Sequence, residues 1–89
     1  MSDPWKILYT NQGLKDKKTA MSNGLKAKVR DLLALLKDDP FAAYPPYEKL
    51  IGDLGGAYSR RLNRQHRLVY QAYEVEHAIK IISFWSHYE

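Results

Sequence analysis

Arg60, Arg61, Arg64 and Arg67 lie close together, and no Asp or Glu occurs from Leu54 through Tyr73. With no counter-charge nearby in sequence, these guanidinium groups suit an external anion, phosphate first, because each offers a fixed charge and forked donors. A carboxylate, Glu48, precedes the run, and an imidazole, His87, follows it. The set matches the needs of RNA phosphodiester cleavage. A base takes the proton of a ribose 2′-hydroxyl, cations hold the charge that develops on phosphorus, and an acid protonates the departing 5′-oxygen. Glu48 is the candidate base, Arg67 with Arg61 the candidate clamps, and His87, with an ordinary pKa of about 6.5, the candidate acid. Plainer readings stand beside these. The four arginines also suit a nonspecific anion-binding face or cross-strand pairing with carboxylates, Glu48 a solvated loop, and His87 an ordinary surface. Tyr58, Tyr70 and Tyr88 suit either packing or the stacking of splayed RNA bases. His66 reads as a turn residue.

The elements that must position these groups fit in one domain, residues 1–89. Fourteen Lys and Arg against ten Asp and Glu give a net charge of +4, unevenly distributed along the chain. The chain has no cysteine, which excludes a disulfide framework, a thiolate nucleophile and a Cys-based zinc site. His66, His77 and His87 lack ligand-type spacing, so no metal and no cofactor is expected. The first residues lack a secretory pattern, and no run approaches the ~18 apolar residues of a membrane helix. A soluble, cytoplasmic protein is the expectation.

Trp5 to Tyr9 predicts an opening strand, and Thr10 and Asn11 break it and can cap a short helix over Gln12 to Met21, which Gly13 weakens. Leu25, Val29, Leu32, Leu33 and Leu36 recur at helical spacing, with Ser22 or Asn23 as the expected N-cap and a stop before Pro40. Its basic face, including Lys26, Lys28 and Arg30, reads as solvated. Phe41 to Gly56 reads as a linker rich in Tyr, Pro and Gly, long enough to suggest function. Ala57 to Asn63, Arg67 to Tyr73 and Ala78 to Trp85 predict three strands joined by hairpin-length connections. The expected fold is α+β in the order β-α-α-β-β-β, with two N-terminal helices on one face of a four-stranded, mainly antiparallel sheet. Alternation sends Leu68, Tyr70 and Ala72 one way and Arg67 the other, which places Arg67 on the face opposite the helices.

Glu48-Lys49-Leu50-Ile51-Gly52-Asp53-Leu54-Gly55-Gly56-Ala57-Tyr58-Ser59-Arg60-Arg61-Leu62, then His66-Arg67-Leu68-Val69-Tyr70, and finally His87-Tyr88, resemble the YoeB/Txe toxins of bacterial toxin–antitoxin systems. The likeness spans most of the chain, including Asp39-Pro40-Phe41. It implies a RelE-like fold and a metal-independent endoribonuclease that cuts mRNA on the ribosome, leaving 2′,3′-cyclic phosphate and 5′-hydroxyl ends. It further implies Glu48 as general base, Arg67 as phosphate stabiliser assisted by Arg61, His87 as general acid and Tyr88 as a substrate-orienting group. Arg60 and Arg64 join the expected RNA-binding set. The implied partners are the ribosome, mRNA and a YefM/Axe-like antitoxin whose disordered segment wraps the toxin, with no membrane. Family members can dimerise, so a homodimer is an open expectation.

The chain departs from the family pattern before Glu48, where Tyr44-Pro45-Pro46-Tyr47 replaces a basic Gly/Lys-rich approach, at Trp85, where Arg is usual, and at three further positions. Ile51 stands where many members have Lys, with Lys49 the nearest replacement, Ser86 precedes His87 where an aromatic is usual, and Glu89 adds a carboxylate. A rival class keeps the fold without the chemistry: a non-catalytic RelE-fold toxin, or a nucleic-acid-binding protein, acting on another target.

Overall fold

Thr10 ends the first strand and starts the first helix. Its extended backbone turns the hydroxyl back to accept from Gly13 N at 2.9 Å, and the same hydroxyl donates to Ile82 O at 2.8 Å. One side chain thus caps the helix and ties it to the last strand. In the computed structural model, which describes residues 3–51 and 56–84, the elements are β1 (Lys6–Tyr9), α1 (Asn11–Ser22), α2 (Lys26–Asp38), β2 (Tyr47–Lys49), β3 (Tyr58–Arg61), β4 (Arg67–Tyr73) and β5 (Ala78–Ser83).

Gly13 belongs to this junction. A Cβ there would lie 2.4 Å from Ile81 O, so the residue that weakens the helix by propensity permits its approach to the β5 backbone. Gly13→Ala is expected to destabilise the fold by about 1–3 kcal/mol through overpacking. For a domain of this size that is about 4–8 °C of Tm per kcal/mol, and a melting curve superimposable on wild type would refute the packing account.

α2 begins later than its apolar stripe suggests. Ser22 is the last residue of α1 and Asn23 its C-cap, while Leu25 caps α2 without a side-chain hydrogen bond. Gly24, at φ +82, supplies the reversal between the helices. Asp39 is extended ahead of Pro40, ending α2 where the proline rule places it.

The sheet has five strands rather than four, in the order β1-β5-β4-β3-β2. β1 pairs with β5 in parallel and the other pairs are antiparallel. The added strand, β2, lies inside the segment read as linker. Its three residues are too few to show alternation, and Pro45 and Pro46 before it are tolerated because it pairs at the sheet edge. Both helices cover one face. Ala20, Val29, Leu32 and Leu36 pack with Leu62, Leu68, Tyr70, Ile79, Ile81 and Phe84 in one buried cluster. At the strand end, Phe84 N donates to the buried Asp16 carboxylate of α1 at 3.1 Å.

Candidate active site

Strand alternation and register gather a group of polar side chains on the opposite face. Glu48 pairs with Ser59, Ser59 with Val69, and Arg61 with Arg67, and residues directly opposite in an antiparallel pair share a face. Glu48, Ser59, Arg61 and Arg67 therefore project together, while Tyr47, Lys49 and Arg60 project toward the helices. Arg67 Nη1 donates to Glu48 Oε1 at 2.7 Å and to Ser59 Oγ at 3.3 Å. The pair sits in an open cleft of 530 Å³ that Lys28, Arg61 and Arg64 also line, with Pro45 and Pro46 forming part of its wall. Glu48 is the one acid among the described residues that line it. Its side chain is 67% exposed and that of Arg67 30%, so both can be reached from solvent.

This geometry divides the arginines that their sequence grouped. Arg61 and Arg64 are exposed at the cleft, as expected of phosphate contacts. Arg67 meets a counter-charge after all, from β2 rather than from its own neighbourhood in sequence. Arg60 is a correction. It is fully buried, and its donors go to Tyr70 Oη at 3.0 Å, Ala42 O at 2.7 Å, Pro40 O at 3.1 Å and Pro45 O. A guanidinium so enclosed does not face the cleft. Lys49, on the face of β2 opposite Glu48, does not line it either. His87 and Tyr88 fall outside the described residues.

His66 is buried in the turn, where Asn63 Oδ1 accepts from Gln65 N at 2.9 Å and from His66 N at 2.7 Å. That Asx turn fixes how β3 returns into β4. Tyr58 and Tyr70 take the packing option: Tyr58 stands 5.5 Å from both Phe41 and Tyr47, and 5.7 Å from Tyr70, between ring centroids. Two cleft residues escape sequence reading. Lys28 looks like part of a solvated helix face, because only the tertiary fold brings that end of α2 to the cleft. Ser59 was detectable, since it is two residues from Arg61 on one strand.

Burial raises the pKa of the Tyr70 phenol above its ordinary value of about 10, outweighing the opposing hydrogen bond and charge of Arg60. The neutral phenol is therefore the form the fold favours. Its contribution is complete below the unfolded-state pKa and is lost as pH rises above about 10 and through the folded-state value. Thermal unfolding between about pH 9 and 11.5 should show wild type losing Tm more steeply than Tyr70→Phe. Parallel slopes would refute this.

The family model for the "YoeB-like toxin of bacterial type II toxin-antitoxin system" matches residues 9–88. Toxin YoeB of Mycobacterium bovis is 39% identical over 57 residues, which cover 64% of this chain and 60% of that protein. The chain thus aligns with about three-fifths of that relative's length. Among solved structures, a YoeB/ParE toxin from Agrobacterium tumefaciens superposes with a TM-score of 0.84 at 29% identity, over 93% of this chain and 99% of that one. A chain of a YoeB-YefM complex from Staphylococcus aureus superposes with a TM-score of 0.78 at 33% identity, over 94% of this chain and 98% of that one. The strand order, the helices on one face and a match over nearly the whole sequence lead to one assignment: the chain belongs to the YoeB-like toxin family of bacterial type II toxin–antitoxin systems.

Proposed function

We propose that this toxin cuts mRNA on the ribosome by attack of a ribose 2′-oxygen on the adjacent phosphate. The observation that carries the reading is the Glu48–Arg67 pair, an accessible carboxylate held at 2.7 Å from a guanidinium in a cleft that Lys28, Arg61 and Arg64 also line. Glu48 takes the 2′-hydroxyl proton, the O2′–P bond forms, and the P–O5′ bond breaks. His87 gives the departing 5′-oxygen its proton, and Tyr88 orients the substrate. Arg67 and Arg61 hold the non-bridging oxygens, with Arg64 and Lys28 placed for neighbouring phosphates. An Arg has five donors, and the contacts to Glu48 and Ser59 use Nη1 alone, so Arg67 can serve a phosphate while still orienting the base. No step in this reading passes through a metal.

The biological setting follows from the same features. A basic cleft suits neutralisation by an acidic, initially disordered antitoxin segment that folds as it binds, and a similar chain from S. aureus was solved in a YoeB-YefM complex. No described helix is long and apolar enough to cross a membrane, and an mRNA substrate on ribosomes goes with a cytoplasmic site of action. End mapping on translated mRNA tests the chemistry. The fragments should carry 2′,3′-cyclic phosphate and 5′-hydroxyl ends, untranslated message should stay intact, and a 2′-deoxy nucleotide at a mapped site should stop cleavage there. Cleavage that tolerates the 2′-deoxy substitution would overturn the reading.

A further inference from the structure

Among the described residues Arg60 is the largest fully buried side chain, and the cleavage chemistry does not use it. Between α2 and β2 the chain crosses residues 40–46 with no helix or strand of its own, so its carbonyls need partners from elsewhere. Arg60 supplies them. One guanidinium donates to Pro40 O, Ala42 O and Pro45 O, and to the Tyr70 hydroxyl, which itself donates to Pro40 O at 2.8 Å. Its cation also lies 4.8 Å from the centre of the Tyr47 ring, which precedes Glu48. Tyr47 is the cross-strand partner of Arg60 and projects to the same face.

We propose that Arg60 is the positioning residue for Glu48. It fixes the irregular segment at both ends, at Pro40 and Pro45, and seats Tyr47. The next residue then points to the opposite face, in reach of Arg67. β2 has only three residues and lies at the sheet edge, so its own ladder is a weak constraint on where Glu48 stands. Two adjacent arginines thereby divide the work across one strand: Arg61 faces the cleft, and Arg60 holds the segment that brings the base to it. Arg is suited to this because a planar fork can bind several carbonyls at once, whereas a lysine ammonium is a compact point charge.

The role of Glu48 as base rests on the proposed function; the effect of Arg60 on its position does not. The experiment therefore has two arms, comparing wild type, Arg60→Lys and the core substitution Ile79→Val, chosen as a control for general destabilisation. In hydrogen exchange, Arg60→Lys should speed amides from Phe41 to Lys49 at least tenfold relative to wild type, while β4 and β5 keep their protection. Ile79→Val should produce no such local effect. In steady-state cleavage of translated mRNA, kcat should fall at least tenfold for Arg60→Lys at temperatures where it is folded, with KM changed less than threefold. Tyr70→Phe, which keeps the ring and deletes one partner of Arg60, covers the case in which Arg60→Lys does not fold, and should raise exchange in the same segment by at least threefold. Wild-type exchange across Phe41–Lys49 in whichever variant folds, or acceleration spread evenly over the sheet, would overturn the proposal. If wild type cleaves no RNA, the functional reading fails, and the exchange arm still decides whether Arg60 holds the segment.

Discussion

Glu48→Gln is expected to lower the rate of mRNA cleavage by about 10²–10⁴-fold, the usual contribution of a positioned acid or base. The substitution keeps the size of the side chain and an oxygen that can accept from Arg67 Nη1, so it removes proton acceptance with little else. Stability should barely change. An ion pair between groups this exposed contributes about 0–1 kcal/mol, because solvent screens it and the side chains lose freedom in making it. The measurement is single-turnover cleavage of translated mRNA at saturating toxin, together with a melting curve for each protein. Glu48→Gln cleaving at the wild-type rate with the wild-type Tm would remove the base from the mechanism. A matching loss of both rate and Tm would instead make Glu48 a structural residue. The expected pattern, a large fall in rate on an intact fold, follows from where Glu48 sits: outside the core, on an edge strand, in a cleft that Lys28, Arg61 and Arg64 also line.

Much of this arrangement could be read in the sequence, and its limits have physical causes. The span of β4, Arg67–Tyr73, follows from alternation alone, and it sends Arg67 away from the helices, as the structure does. The buried face of α2 follows from Val29, Leu32 and Leu36 at helical spacing. β2 escaped because three residues after two prolines carry no periodicity, although they hold the carboxylate that matters most. The difference between Arg60 and Arg61 also escaped. The two are chemically identical and adjacent, and only the hairpin register, Arg60 opposite Leu68 and Arg61 opposite Arg67, sends one into the core and the other to the cleft. That register depends on the Asx turn at Asn63, which no count of apolar residues reveals. The absence of acids from Leu54 to Tyr73 misled for a related reason. Sequence distance says little about which charge lies across a sheet, and Glu48 reaches Arg67 through the intervening strand β3.

Arg67→Ala should cost about 10²–10³-fold in kcat/KM, corresponding to the roughly 3–4 kcal/mol lost when a preorganised donor to developing charge is removed. Two functions disappear with the one side chain: the cation for the phosphorane oxygens and the donor that orients Glu48. Arg67→Lys should recover only part of the loss, since an ammonium supplies charge without the fork that engages base and phosphate together. Arg61→Ala should lose less, because Arg61 serves as a second cation at the exposed rim. The double variant Glu48→Gln/Arg67→Ala separates this account from one of independent contributions. Residues that act as a unit are strongly non-additive, so the double variant should be little slower than the slower single variant. A loss equal to the product of the two single effects would show that the 2.7 Å contact is a resting ion pair with no part in the reaction. A double variant close to the slower single one would mean that base and clamp form one catalytic unit, assembled across β3 from β4 and from an edge strand, β2, that the sequence reads as linker.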